Sequence, residues 1–249
     1  MNRLVRTELL KQRTTRTFVA GFVAAPVVAG LVTIAILTAS GKQGNDPLGP
    51  ESLIQVIGGP AGVITLIAVL LGVLGMAGEH RHQTITTTFL ATPRRRDVVV
   101  AKLAANALTG ALMGLLSVAV SAAIAVPWLR VSGIDVQLGG EGIRVALGLI
   151  LSTALYGSLG VAIGALLRNL TTAIAVVLTW LLAVEGIIGD LLHGAAFVRW
   201  LPAAAGRALV HAGPSGDGLP VPVAAGIFTL YVAVIAGVGT RLTLHRDIT

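Results

Sequence analysis

The amino-acid sequence predicts an all-α protein embedded in a membrane, and three observations carry that prediction. Of its 249 residues, 55% are hydrophobic and only 12% are charged, and the mean hydropathy of +0.87 is far above that of a water-soluble domain of ordinary composition. The apolar residues gather into six runs, several of them reaching the ~20 residues that cross a bilayer as helix. Segments rich in Gly, Pro and polar residues separate those runs. Where no water is available, helices satisfy their backbone hydrogen bonds internally, which excludes open sheet. No linker or internal repeat marks a second unit, so residues 1–249 read as a single membrane domain.

The segment Met1 to Thr17 carries Arg3, Arg6, Lys11, Arg13 and Arg16 with Leu4, Val5, Leu9 and Leu10 between them. Leu4, Val5 and Leu9 share about one helical stripe, which suits an amphipathic helix resting at the interface. A basic flank that merely fixes topology is an equal reading. The first span follows from about Phe18 to Ala39, with Pro26 tolerated as a kink. It reads as an uncleaved span, because its apolar run exceeds that of a signal peptide. Ser40 to Pro50 is a loop.

A second apolar run extends from Leu53 or Gly58 to Gly78, with Gly58-Gly59-Pro60 marking a break near its start. The third runs from about Val98 to Pro127, longer than a bilayer requires, so its first turns are expected to project beyond the membrane. Trp128 to Glu141 reads as a loop. The fourth and fifth spans, about Ile143–Leu167 and Thr171–Ile188, are separated only by Arg168-Asn169-Leu170 and form a tight hairpin. Gly189 to Pro220 is a longer connection whose apolar pieces are too short to span and suit short helices in, or dipping into, the outer interface. The sixth span runs from about Val221 to Gly239.

Six spans place both termini on one side. The N-terminal segment, the Glu79–Lys102 segment, the Arg168 hairpin and the C-terminal tail hold 13 of the 18 Lys and Arg residues. The excess of basic residues on cytoplasmic loops therefore puts the termini and the Glu79–Lys102 segment in the cytoplasm. The net charge of +7 fits cations held against anionic lipid better than it fits nucleic acid. Cysteine is absent, which excludes disulfides, thiolate metal sites and a cysteine nucleophile. Histidines 80, 82, 193, 211 and 245 show no ligand spacing within spans, so no metal site is expected. Gly72-x-x-Gly75-x-x-Gly78, Gly110-x-x-x-Gly114 and Gly160-x-x-x-Gly164 let helices approach closely, and packing within one subunit is the simpler reading of them.

The segment from Glu79 to Lys102 is the one long polar and basic stretch between two apolar runs. Thr92-Pro93 has the chemistry of a helix start, with threonine as N-cap and proline at the first helical position. Before it, Thr84 to Leu90 suits a short helix in which Ile85 and Phe89 share an apolar face. Such a face in water calls for a partner groove, whereas a solvated basic loop on anionic headgroups is the competing reading. Glu79, at the membrane boundary, is placed to accept backbone N–H groups or to pair with a local arginine.

A span ending in Glu79, a threonine-rich turn at Thr84 to Thr88, then Leu90-Ala-Thr-Pro-Arg94-Arg95 and Lys102 opening the next span resemble the permease subunits of type-2 ABC exporters. That group includes drug, lantibiotic-immunity and polysaccharide permeases. The likeness extends over the whole chain, departing at Gln83, where glycine is commoner. The resemblance implies a bacterial cytoplasmic-membrane permease with a cytoplasmic coupling helix after the second span. It also implies a dimer of separate ABC ATPase subunits holding the ATP and magnesium, and a second permease copy or homologue completing the path. On this likeness Glu79, Thr84, Ile85, Phe89, Leu90, Arg94 and Arg95 couple to the ATPase, with Ile85, Phe89 and Leu90 packed into it while Arg81, Arg94, Arg95 and Arg96 meet acidic residues or lipid. This chain has no Gly-x-x-x-x-Gly-Lys-Ser/Thr loop and no cofactor is expected on it.

Glu185 reads as the one ionisable residue well inside an apolar run. A carboxylate there is costly enough to be a candidate for the substrate path, although a structural hydrogen bond near the outer end fits equally. Membrane enzymes and redox subunits would need paired histidines or acidic clusters in the spans, which counts against that class; the function the resemblance implies is export of a drug, peptide antibiotic, lipid or glycan by alternating access. A non-transporting immunity or scaffold protein is the alternative.

Overall fold

A computed structural model describes residues 2–40, 49, 52–81, 95–134, 139–167, 169–192, 197–211 and 219–245. Among them every regular element is helical. In chain order these are α1 (Asn2–Thr14), α2 (Arg16–Ala39), α3 (Ser52–Gly58), α4 (Ala61–Arg81), α5 (Arg95–Val131), α6 (Gly140–Leu167), α7 (Leu170–Thr179), α8 (Glu185–Leu191), α9 (Pro202–His211) and α10 (Val221–His245). A π-helical turn at Trp180–Val184 joins α7 to α8, and a 3-10 turn at Val198–Trp200 precedes α9. Six stretches are long and apolar enough to cross a membrane: Arg16–Ala39, Ser52–Glu79, Arg96–Val131, Gly140–Leu167, Leu170–Leu191 and Val221–Arg241.

The break expected at Gly58-Gly59-Pro60 separates α3 from α4. The Gly59 N–H still bonds Gln55 O at 2.7 Å, and the Pro60 carbonyl accepts from Val63 and Ile64 to start the next helix. Between α6 and α7 the Asn169 side chain accepts from the Thr172 N–H at 3.1 Å, an N-cap that opens the return helix within three residues of the end of its predecessor. The third span overruns its expected end: α5 passes through Pro127 and continues to Val131, with Leu129 buried. Its 37 residues amount to roughly 55 Å at 1.5 Å per residue, well beyond a hydrocarbon core of about 30 Å.

Burial separates a central pair from a periphery. Of the apolar windows, 61% of the Gly140–Leu167 segment and 56% of the Ser52–Glu79 segment are buried, against 17–22% for the spans containing α2, α7 and α10. The glycine patterns make that centre possible. A Cβ on Gly72 would strike the Gly157 carbonyl of α6, and one on Gly160 would strike the Val69 carbonyl of α4. The same backbone-to-backbone approach joins Gly110 of α5 to Thr153 of α6. With no solvent-driven attraction between spans, such close packing is a main source of helix association in lipid. These glycines therefore pack one subunit together. A buried hydrogen bond from Thr33 Oγ1 to Ser121 Oγ, 3.0 Å long, ties α2 to α5.

The long connection before the last span does more than lie at an interface. Ala205, Gly206, Ala208, Leu209 and Val210 of α9 are buried. Gly206 meets the Tyr156 ring, while the Leu209 carbonyl meets Gly148, nearer the start of α6. Hence α9 runs antiparallel to α6, beginning inside the bundle and rising toward the end where α6 starts. It is inserted among the longer helices, accommodated because glycine stands at both contact points.

Candidate functional site

The end of the bundle that carries α1 also carries the start of α5 and the last turn of α4. There Lys102, with 1% exposure, is among the largest fully buried side chains. Its ammonium donates to Glu8 Oε2 at 2.7 Å, Glu79 Oε1 at 2.8 Å and the Gly75 carbonyl at 3.1 Å. All three donors of the group are thereby used. Lys11 adds a second cation, donating to Glu8 Oε1 at 2.9 Å and Glu79 Oε1 at 3.1 Å. Among the described residues, two carboxylates and two ammonium groups therefore form an ion-pair cluster joining α1, α4 and α5.

A buried charge is expensive unless paired and hydrogen-bonded, and this arrangement meets both conditions for Lys102. One turn further along α5, Asn106 donates to the Lys102 carbonyl at 3.0 Å. Another turn on, Thr109 Oγ1 donates to Gln12 Oε1 of α1. Thus α1 is fastened to α5 at two points about two turns apart, Lys102 with Glu8 and Thr109 with Gln12. The cluster borders a cavity of about 530 Å³ that also reaches Asn106, Thr15 and Phe18. Burial depresses the affinity of Lys11 for its proton, but the hydrogen bond to Glu8 and the charges of Glu79 and Glu8 outweigh it, so its pKa is raised from the usual 10.5.

Of the residues predicted from sequence to couple this chain to an ATPase, Glu79 lies in this cluster. Thr84, Ile85, Phe89, Leu90 and Arg94 lie outside the described residues, as does the Thr92-Pro93 helix start. Arg95 begins α5. The sequence reading missed Glu8, Lys11 and Gln12, and it named Lys102 only as the start of a span. A signal was present: Glu8 is the single acidic residue among five basic ones in the N-terminal segment, and Lys102 stands inside an apolar run. Glu185 is therefore not alone as an ionisable residue within a span, and Lys102 deserved the same suspicion.

Glu185 itself is 2% exposed. Its Oε2 accepts from the Ala203 N–H at 2.9 Å and from Trp180 Nε1 at 3.2 Å, and its Oε1 accepts from the Ala204 N–H at 2.8 Å. The partners explain the geometry. A helix that begins inside a packed bundle leaves N–H groups unpaired, and α9 limits that number by opening on Pro202, which has none. Glu185 takes the next two, and its negative charge suits a helix N-terminus. The π-helical turn places it there: the Glu185 N–H donates to Trp180 O, five residues back, and the extra residue rotates the carboxylate toward α9.

Among the described residues no group of three or more His, Cys, Asp or Glu is placed to hold a metal ion. No curated protein matches the chain. The family described as ABC-2 family transporter protein matches residues 4–186, from α1 and its Glu8 through the central pair α4 and α6 to the carboxylate that caps α9. The chain therefore belongs to the ABC-2 transporter family, a multi-pass membrane protein and the permease subunit of a type-2 ABC transporter.

Proposed function

We propose that this permease exports a drug, peptide antibiotic, lipid or glycan across the bacterial cytoplasmic membrane by alternating access, with ATP and magnesium held by a pair of ABC ATPase subunits. Family membership supports the pairing with an ATPase. The excess of Lys and Arg at the end carrying α1 supports cytoplasmic termini. A second permease copy or homologue completes the path, and the basic face of α1 rests on anionic lipid.

One observation carries the mechanism: the Lys102, Glu8, Glu79 and Lys11 cluster stands at the root of residues 82–94, where that segment leaves α4 and enters α5. In this reading the segment is the coupling element, with Thr84, Ile85, Phe89, Leu90, Arg94 and Arg95 meeting the ATPase. A displacement applied there reaches α4 and α5 together, because Lys102 binds both, and it reaches α1 through Glu8. The three helices then move as one lever against α6. Glu185 acts on the path at the other end of the bundle through α9. Its oxygens are engaged by three protein donors, which supports an action on the path through the position of that helix.

Aspartate at both Ile85 and Phe89 tests the docking role. The doubly substituted chain should insert in membranes and melt like the parent, yet no longer co-purify with its ATPase or stimulate ATP hydrolysis. Retained co-purification together with stimulated hydrolysis would refute the assignment.

A further inference from the structure

A cavity of about 370 Å³ opens between α4, α6, the π-helical turn and α9. Its buried floor includes Ser152 and Tyr156 of α6 and Gly206 of α9, and its exposed mouth is made by Gly62, Leu182 and Arg207. The floor is polar and built. Ser152 is 1% exposed, and its Oγ has no hydrogen-bond partner among the described residues. Tyr156 is held edge-on against Phe228 with ring centroids 4.7 Å apart. A Cβ on Gly206 would stand 2.5 Å from the Tyr156 hydroxyl, so glycine there lets α9 close over it.

The mouth supplies the charge. Arg207 makes no ion pair among the described residues. The buried carboxylate of Glu185 is committed to the start of α9 and to Trp180. The remaining wall is largely aliphatic, the hydroxyl of Thr65 being bonded to the Ala61 and Gly62 carbonyls, and Gly62, Val63 and Leu182 leave an exposed apolar exit from the cavity. Among the described residues, a cation with no direct ion pair, a buried hydroxyl without a partner and an apolar exit together suit an anionic head with a hydrocarbon tail, the nearby Glu185 carboxylate being turned toward α9 and Trp180. The volume falls within the range of small-molecule sites.

We propose that this cavity binds a single-chain anionic amphiphile, with its carboxylate or similar anionic head between Arg207 and the Tyr156 and Ser152 hydroxyls and its tail leaving past Gly62 and Leu182. Within the function proposed above, and resting on it, this makes anionic amphiphiles the class of molecule handled at this end of the permease. The binding itself requires neither the ATPase nor transport.

The test is equilibrium binding of myristate to the full-length permease in phosphatidylcholine nanodiscs, with empty nanodiscs subtracted. Myristyl alcohol, which lacks the charge, and acetate, which lacks the tail, are the comparison ligands. Myristate should bind saturably with one molecule per chain, myristyl alcohol about tenfold or more weakly, the size expected for a charge-assisted contact, and acetate far more weakly still, because it lacks the apolar surface of the tail. Arg207→Gln should weaken myristate about tenfold and leave myristyl alcohol unchanged. Gly62→Leu should abolish saturable binding without unfolding the chain, because a Cβ on Gly62 meets nothing within 4 Å. Equal binding of myristate and myristyl alcohol, acetate competing as well as myristate, or unaltered binding by either variant would overturn the site. Loss of the site with ATPase coupling intact would leave the transport mechanism standing, and the converse result would leave the site standing.

Discussion

Lys102 Nζ stands 2.7 Å from Glu8 Oε2, across 94 residues of chain. That contact fixes the N-terminal helix to the third span inside a protein whose other helix contacts are largely apolar. It also sets the register of α1, since Glu8, Lys11 and Gln12 recur at helical spacing and all face the same seam.

Replacing Lys102 with methionine should destabilise the permease by about 3–5 kcal/mol, because two carboxylates lose their buried cation. Adding Glu8→Gln and Glu79→Gln to the same chain should restore much of that loss. Thermal unfolding in detergent reads both steps. A single variant within about 1 kcal/mol of the parent, the range of exposed pairs, would mean that the cluster is not buried in the working protein.

The raised pKa of Lys11 has a defined pH signature. Its folded value lies above the ordinary 10.5, so its contribution is fully present below that pH and is lost as pH rises through the folded value. The difference in melting temperature between the parent and Lys11→Met should accordingly hold from neutral pH to about 10 and close in more alkaline buffer. A gap that widened with alkalinity would contradict the pairing.

Glu185→Ala should remove an acceptor from three donors at once, two of them N–H groups at the start of α9. Each buried donor left unpaired costs about 1–3 kcal/mol. Glu185→Gln retains one acceptor oxygen and should be milder in stability, yet should lower transport while ATPase co-purification persists. Unchanged transport in the glutamine variant would confine Glu185 to a structural role.

Alanine at Gly160 should disrupt assembly of the bundle, since its Cβ would collide with the Val69 carbonyl, whereas alanine at Gly78 meets nothing within 4 Å and should be neutral. Overpacking of this kind typically costs about 1–3 kcal/mol, and backbone offers less relief than a side chain. Equal expression and melting of the two variants would argue against the close approach of α4 and α6.

Six spans, the break at Gly58-Gly59-Pro60, the abrupt turn before Leu170 and the gathering of cations at one end all follow from local sequence. Hydropathy, turn chemistry and the length of an apolar run act on neighbouring residues, so each of these features is legible without knowing which helix lies beside which. The glycine patterns announced close packing, but only the fold pairs Gly160 with Val69 and Gly110 with Thr153. The overrun of α5 past Pro127 was hidden because the proline cue suggested an end, while burial of Leu129 supports the helix beyond it.

What tertiary structure alone decided is how the chain's buried charges are satisfied. Lys102 is tolerable in a span because Glu8 and Glu79 reach it from two other helices, and Glu185 is tolerable because α9 turns back to present its N–H groups. The penalty for burying an ion depends on the groups within a few ångströms, and in this chain those groups arrive from distant sequence. Local pattern can reveal an out-of-place charge, but its partner is fixed only when the helices pack.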